Sequence, residues 1–213
     1  MITDEAGAKD WLRLLPECDD AAMARLERLA QLLADENERQ TLVSADSFSA
    51  LWSRHIADSA QLLTQVPRET GSPWLDLGTG AGFPGLVIAA LRPECEIVMV
   101  ESRSLRGDWL SRATAALALT NAWVVAERLE VLPTREMRVI SARAFAPLDR
   151  LLKQSARFST GDTLWLLPKG QSARQELQSL HGWDHLFHVE QSLTDSEAGI
   201  ITGRLIGKKG RKK

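Results

Sequence analysis

Cysteine is scarce in this chain of 213 residues, which argues against a disulfide-rich protein and against a cysteine-bound metal site. The two cysteines, Cys18 and Cys95, stand in unrelated contexts without the spacing of metal ligands. We therefore expect free thiols in a reducing cytoplasm, with no bound metal and no disulfide framework. Long apolar runs are also lacking, since stretches such as Leu86–Leu91 are far too short to cross a bilayer. The acidic first residues, "MITDEAGAKD", do not resemble a signal peptide, so we expect a cytoplasmic protein that does not engage a membrane.

Basic residues are few in the first third of the chain and concentrated at its end. Over residues 1–72, thirteen acidic residues oppose seven basic ones, whereas five of the last six residues are lysine or arginine. The basic tail, residues 208–213, is a candidate anchor for a phosphate backbone, and a solvated, solubilising end explains it equally well.

We expect the chain to act as a monomer.

The spacing of apolar residues changes at the helix-breaking segment "PRETGSP", residues 67–73. Before it, apolar residues recur at three- and four-residue spacing, which predicts a helical cap over residues 1–72. From residue 73 to 207, short apolar runs alternate with longer helical ones. This alternation predicts an α/β domain of the Rossmann-like kind, with a mostly parallel, doubly wound sheet. The last two strand-like runs have no helix between them and predict a C-terminal antiparallel hairpin. The predicted strands before the hairpin are Trp74–Leu77, Ile97–Val100, Ala122–Ala126, Arg138–Ser141 and Thr163–Leu167.

The segment "WLDLGTGAGFPG", Trp74–Gly85, joins the first predicted strand to a helix and is rich in glycine. Doubly wound sheets bind ligands beyond the carboxyl ends of their strands, and glycines keep side chains out of the ligand's space. The Gly-x-Gly-x-x-Gly spacing from Gly80, followed by Glu101, fits a dinucleotide site. Asp76, however, would repel a pyrophosphate, whereas it suits the sulfonium and ammonium groups of S-adenosylmethionine, directly or through water. We therefore expect S-adenosylmethionine, with Glu101 accepting its ribose hydroxyls, rather than a nicotinamide cofactor.

Several motifs of the chain resemble those of one protein family. "DLGTGAGFPGLVIA" is similar to the cofactor motif of the ribosomal RNA small-subunit methyltransferase G family, also called glucose-inhibited division protein B. The other similar segments are "RHIADS" (54–59), "VESRSLRGDWL" (100–110), "AERLE" (126–130), "SARAFAPL" (141–148) and "LPKG" (167–170). They follow in family order over nearly the whole chain. Three features depart from the family: its upstream pattern is degraded to "ENERQTLV", Leu105 replaces a lysine, and Arg204 is a displaced candidate for an arginine near the last strand.

The resemblance implies a class I methyltransferase that carries a methyl group from S-adenosylmethionine to N7 of a guanine in 16S ribosomal RNA. Its partner would be that RNA or the small ribosomal subunit. By resemblance, cofactor contacts fall on Gly78 and Phe83, on Leu129 and Glu130, and on Arg143. With the loop and strand-end residues, the predicted cofactor-binding set is Asp76, Gly78, Gly80, Gly82, Phe83, Glu101, Leu129, Glu130 and Arg143.

The absence of certain residues narrows the choice of the atom that accepts the methyl group. Methylation at carbon 5 of a pyrimidine needs a nucleophilic cysteine, and neither cysteine lies near the predicted ends of the fourth and fifth strands. Many enzymes that methylate exocyclic amines use an Asn/Asp-Pro-Pro-aromatic loop, and the chain has no Pro-Pro pair. Guanine N7 has a lone pair and no proton to lose, so it needs only in-line placement. A small-molecule methyltransferase and a non-catalytic RNA-binding protein on the same scaffold are the alternatives, and a spoiled cofactor loop would mark the latter.

Basic residues follow two of the later strands. Arg143 follows the fourth strand and Lys169 the fifth, so both should reach one rim of the sheet. We expect both to act in catalysis by contacting substrate phosphate or guanine O6, or by orienting the cofactor carboxylate. The structural alternative for each is an ion pair with a neighbouring acid. Arg54, His55 and Asp58 share a helix, and their spacing predicts a cluster that ties the cap to the sheet.

Overall fold

Residues 1–210 are described by a computed structural model of the chain, in which short helices precede one mixed sheet. The first helices are α1 (Glu5–Arg13), α2 (Asp20–Asn37), α3 (Ala45–Phe48) and α4 (Asp58–Ala60), with a π-helical turn at Trp52–Ala57 and a 3-10 turn at Gln61–Gln65. Asp4 and Asp19 precede α1 and α2, and each side chain accepts a hydrogen bond from a backbone N–H three residues later. These contacts satisfy N–H groups that the first turn of a helix leaves free.

Strands and helices then alternate as the sequence predicts. The elements are β1 (Trp74–Leu77), α5 (Gly85–Leu91), β2 (Ile97–Val100), α6 (Ser104–Ala116), β3 (Ala122–Val125), β4 (Val139–Ala142), α7 (Leu148–Ser155), β5 (Leu164–Gly170), α8 (Ala173–Gln178), β6 (Trp183–His185), β7 (His188–Gln191) and β8 (Gly199–Lys208). The bounds of β1 and β2 agree with prediction. β5 continues beyond Leu167 because Pro168 and Gly170 still pair with β8.

The sheet has the order β3-β2-β1-β4-β5-β8-β6, and its first five strands are parallel. The strand order reverses between β1 and β4, which is where doubly wound sheets bind their ligands. β8 runs antiparallel to β5, and β6 and β7 pair with it on its other side, end to end. The predicted antiparallel hairpin is confirmed, but its first strand is divided at Leu186. There the backbone carbonyl of Leu186 lies so close to Gly203 that a side chain at Gly203 would overlap it.

Each face of the sheet has its own hydrophobic core. Trp74 of β1 packs with α1, α2, α5 and α6 on one face, whereas Leu75 and Leu77 pack with α7 and α8 on the other. A strand buried on both faces is expected for a parallel sheet covered by helices. The helical cap, residues 1–72, shares the first core with the sheet rather than packing on itself alone. Among the helices of the described chain, none combines the length and the apolarity needed to cross a membrane.

The C-terminal end of β8 lies at the edge of the sheet opposite the glycine loop, because β8 runs against the parallel strands. Lys208 ends β8 at that edge. Arg204 also lies there, 3.9 Å from Asp162, so it does not stand in for a family arginine near the ligand site. Residues 211–213 of the predicted basic tail lie outside the described residues, and the tail's contact with RNA stays a prediction.

Candidate functional site

The glycine loop joins β1 to α5 at the point where the strand order reverses. Gly78, Gly80 and Gly82 have φ angles of +63°, +60° and +106°. Residues with a side chain rarely adopt such positive φ angles, whereas glycine does so readily. A Cβ atom at Gly78 would lie 2.5 Å from Cδ2 of Phe145, and one at Gly82 would overlap Leu86. The backbone conformation and the close packing therefore both favour glycine in this turn, whereas contact of these glycines with the cofactor stays a prediction.

Asp76 lies beneath the loop and fastens it to the sheet. Its carboxylate accepts hydrogen bonds from the N–H of Gly85 at 3.0 Å and from Oγ of Ser141 at 2.7 Å. Burial raises the pKa of Asp76, although these donors and the charge of Arg143 act in the opposite direction. The side chain has no exposed surface. The buried carboxylate of Asp76 therefore supports the loop, and its contact with the cofactor, directly or through water, stays a prediction.

Glu101 directly follows β2 beside the loop, and it is 6% exposed. Its Oε2 accepts a hydrogen bond from the N–H of Gly80 at 3.1 Å, and its Oε1 accepts one from the N–H of Arg103 at 2.9 Å. Each carboxylate oxygen has a second lone pair. Ribose hydroxyls can therefore bond to Glu101 while the loop stays held, and the predicted ribose contact is compatible with the geometry.

A cavity of about 470 Å³, here called the loop cavity, opens beside the glycine loop. Its lining includes three predicted cofactor residues: Gly78 from the loop, and Leu129 and Glu130 from the 3-10 turn after β3. Leu129 is buried and Glu130 is exposed. Ends of neighbouring strands thus bring these residues to one pocket, and their contact with the cofactor stays a prediction.

A larger cavity of about 1050 Å³, here called the cap cavity, lies between the helical cap and the ends of β4 and β5. Arg143 and Lys169 both line it, so the prediction that they reach one rim is confirmed. The loop cavity and the cap cavity share the side chains of Phe145 and Ala146. These two residues, which follow β4, therefore form the wall between the two cavities.

Phe83 lies in neither cavity, although it was predicted to contact the cofactor. Its ring is 2% exposed and stacks on the ring of His55, with 5.0 Å between centroids. The guanidinium of Arg143 lies 5.2 Å from the centre of the same ring. The ring of Phe83 thus packs the glycine loop against the cap, and a contact of this residue with the cofactor stays a prediction.

Arg143 connects the sheet to the cap through several polar contacts. Its Nη1 donates to Oδ2 of Asp58 and to the carbonyl oxygen of Arg54, both at 3.2 Å, and its Nη2 lies 2.9 Å from Nδ1 of His55. Burial, together with the charges of Arg143 and Arg54, lowers the pKa of His55 to about 4. The imidazole is therefore neutral at pH 7, and its Nδ1 accepts from Arg143. The predicted cluster of Arg54, His55 and Asp58 is confirmed, with Arg143 as a further member.

Lys169 is held mainly by the protein itself. Its Nζ donates to the carbonyl oxygen of Ala146 and lies 2.9 Å from Oε2 of Glu176. The N–H of Leu148 donates to the same carboxylate at 2.7 Å. With a side chain only 8% exposed, Lys169 fits the structural alternative, and its part in catalysis stays a prediction.

Two residues of this site were not predicted. Phe145 forms the wall between the cavities, and Ser141 binds Asp76 from β4 while also accepting a hydrogen bond from Nε1 of Trp74 at 2.8 Å. Both lie in "SARAFAPL". An aromatic residue just after a strand at the switch point is a signal that could have found Phe145. A serine inside a buried strand indicates a polar neighbour, which here is Asp76 at the same register.

The fold and the site define a Rossmann-like methyltransferase dependent on S-adenosylmethionine. Similar structures include a mutant of MtNAS in complex with S-adenosylmethionine, with a TM-score of 0.59 and 14% identity over 96% of this chain and 84% of the other. Another is a SAM-dependent methyltransferase from Aquifex aeolicus, with a TM-score of 0.55 and 13% identity over 70% of this chain and 89% of the other. At such identities the similarity concerns the fold alone.

Sequence comparison identifies the family. The family model described as rRNA small subunit methyltransferase G matches residues 22–196. The protein named Ribosomal RNA small subunit methyltransferase G from Novosphingobium aromaticivorans is 57% identical over 211 residues, covering 98% of this chain and 91% of its own length. The protein of that name from Erythrobacter litoralis is 57% identical over 205 residues, covering 96% and 98%. The chain belongs to the ribosomal RNA small subunit methyltransferase G family, and the predicted resemblance is confirmed.

Proposed function

We propose that this chain transfers the methyl group of S-adenosylmethionine to N7 of a guanine in the 16S RNA of the small ribosomal subunit. The RNA substrate is inferred from the relatives, which are named for the small-subunit ribosomal RNA. The choice of N7 rests on the acids of the cap cavity, which are already bonded to the protein. The alternative of a small-molecule substrate is not favoured by these relatives.

The acids that line the cap cavity, among the described residues, each accept a hydrogen bond or an ion pair from the protein. They are Asp58 with Arg143, Glu176 with Lys169, and Asp195 with the N–H of Glu197. A general base must lie within hydrogen-bond reach of the proton that it removes, and two of these acids, Asp58 and Glu176, are held in ion pairs with basic residues. Guanine N7 carries no proton, so methyl transfer to it requires placement and no base. The ion pairs at Asp58 and Glu176 support an acceptor such as N7, which needs no base.

Arg143 can distinguish a guanine from an adenine in the RNA. A guanidinium has five N–H donors, and three of those in Arg143 are used by Arg54, Asp58 and His55. The remaining donors can bond to guanine O6, which is an acceptor beside N7. Adenine presents an amino group at that position, and two donors would face each other. A bond to O6 would also leave the N7 lone pair free for the methyl group.

Methyl transfer to small ribosomal subunits that lack the modification tests the proposal. The subunits are incubated with the protein and tritiated S-adenosylmethionine, and the labelled nucleoside is identified after digestion of the RNA. We expect N7-methylguanosine in 16S RNA, and Arg143→Ala should slow single-turnover transfer by about tenfold or more with saturating subunits. Arg204→Ala, at the opposite edge of the sheet, is the matched control and should resemble the unmodified protein. Label in another nucleoside would contradict the proposal.

A further inference from the structure

We propose that Phe145 is the platform on which the target guanine stacks, an inference that rests on the proposed function. Among the described residues that line the loop cavity or the cap cavity, Phe145 is the one aromatic side chain. It is half-buried, so part of its surface is available to a ligand. Nucleic-acid bases stack on aromatic side chains through their faces, whatever polar groups their edges carry.

The ring lies next to the part of the site that holds the cofactor. A Cβ atom at Gly78 would be 2.5 Å from Cδ2 of Phe145, so the ring packs directly against the glycine loop. Gly78 itself lines the loop cavity, whereas Phe145 lines both cavities. A base on the side of the ring that faces the cap cavity therefore lies beside the cofactor, as methyl transfer requires.

The turn at Ala144 directs the side chains of Arg143 and Phe145 to different contacts, and a bound guanine would use both side chains. Ala144 has a φ of +51°, a left-handed conformation that is uncommon for a residue with a side chain and concentrated at functional sites. On one side of this turn, Arg143 contacts the cap, and on the other side Phe145 packs against the glycine loop. Both line the cap cavity. The guanidinium can thus meet the edge of a guanine while the ring meets its face.

The tryptophans do not offer a competing platform at this site. None of the described residues that line the loop cavity or the cap cavity is a tryptophan. The exposed Trp123, with 60% of its surface accessible, lies on β3 at the edge of the sheet. The two cavities meet at Phe145 and Ala146, and of these only Phe145 has an aromatic ring.

Substitution of the ring tests the inference with the full chain and small ribosomal subunits. Phe145→Leu removes the ring but keeps apolar bulk, Phe145→Tyr keeps the ring, and Phe48→Leu removes a partly buried ring that lines neither cavity. Affinity for S-adenosylhomocysteine is measured by calorimetry, and single-turnover methylation is measured over a range of subunit concentrations. We expect Phe145→Leu to lower the rate at subsaturating subunits by about 5- to 150-fold. Its affinity for S-adenosylhomocysteine should fall by a much smaller factor than the rate, and Phe145→Tyr and Phe48→Leu should remain near the unmodified protein.

Several outcomes would overturn the inference. Unchanged methylation by Phe145→Leu would show that the ring does not bind the base, and a loss of S-adenosylhomocysteine affinity as large as the loss of rate would assign the ring to the cofactor instead. If the leucine variant has a lowered melting temperature, Phe145→Met provides a second ringless variant for the same comparison. Absence of N7-methylguanine with the unmodified protein would refute the proposed function as well, whereas an active protein with an unaffected leucine variant would refute this inference alone.

Discussion

Replacing Glu101 with glutamine tests how the cofactor's ribose is held. The carboxylate of Glu101 accepts hydrogen bonds from the N–H groups of Gly80 and Arg103, one on each oxygen. Glutamine keeps one acceptor oxygen and places an NH₂ group where the other oxygen stood. The substitution therefore leaves one backbone N–H without its partner and removes an acceptor for a ribose hydroxyl.

The expected losses follow from the hydrogen bonds. A bond to a charged group contributes about 1.5–3 kcal/mol, so affinity for S-adenosylhomocysteine should fall by about 10- to 150-fold. The free energy of unfolding should also fall by about 1–3 kcal/mol, the usual cost of leaving a buried donor unpaired. Glu190→Gln changes a partly exposed acid on β7 and should alter neither quantity.

Calorimetry with S-adenosylhomocysteine and urea unfolding measure the two losses separately. A folded Glu101→Gln protein with unchanged affinity would refute the ribose assignment. If only stability fell, Glu101 would serve to hold the loop, and the ribose would have to bind away from its carboxylate.

Three further substitutions address the groups around the loop. Asp76→Asn should lower the free energy of unfolding by about 1–3 kcal/mol in urea, because Asp76 is buried with two donors; weaker S-adenosylhomocysteine binding at native stability would instead make it a ligand. The pKa of His55 is near 4 in the folded chain against 6.5 for the free side chain, so the stability from neutral His55 is lost as pH falls from about 6.5 to about 4. Between pH 7 and pH 5, urea unfolding should therefore show a larger drop for the unmodified protein than for His55→Gln, and equal drops would contradict the pKa assignment. Asp58→Asn breaks the ion pair with Arg143 and should slow single-turnover transfer by about fivefold without changing S-adenosylhomocysteine affinity; Asp46→Asn is the control, and a matching effect there would point away from Arg143.

The central strands could be predicted because their sequence pattern is local. All four residues of β1 and of β2 are buried, and both strands read as short apolar runs bounded by turns, interrupted only by Asp76 in β1. The end of β5 could not be predicted, since Pro168 and Gly170 are kept in the strand by pairing with β8. The break between β6 and β7 likewise depends on how close Leu186 comes to Gly203, which no local pattern reveals.

The position of the glycine loop and of Glu101 could also be predicted, because each directly follows a strand at the edge where ligands bind. The direction of Asp76 could not, because its partner Ser141 lies on β4 at the same register. Arg143 illustrates the same limit: its charge and place in the chain are visible in the sequence, whereas its contact with Asp58 depends on how the cap packs.

A crystal structure of the chain with S-adenosylhomocysteine tests the account of the site most directly. We predict that the ligand occupies the loop cavity, with its ribose hydroxyls about 3 Å from the carboxylate of Glu101 and its adenine beside Leu129. Its sulfur should lie at the wall formed by Phe145, toward the cap cavity. A ligand that leaves the glycine loop untouched, or whose ribose binds away from Glu101, would contradict the account.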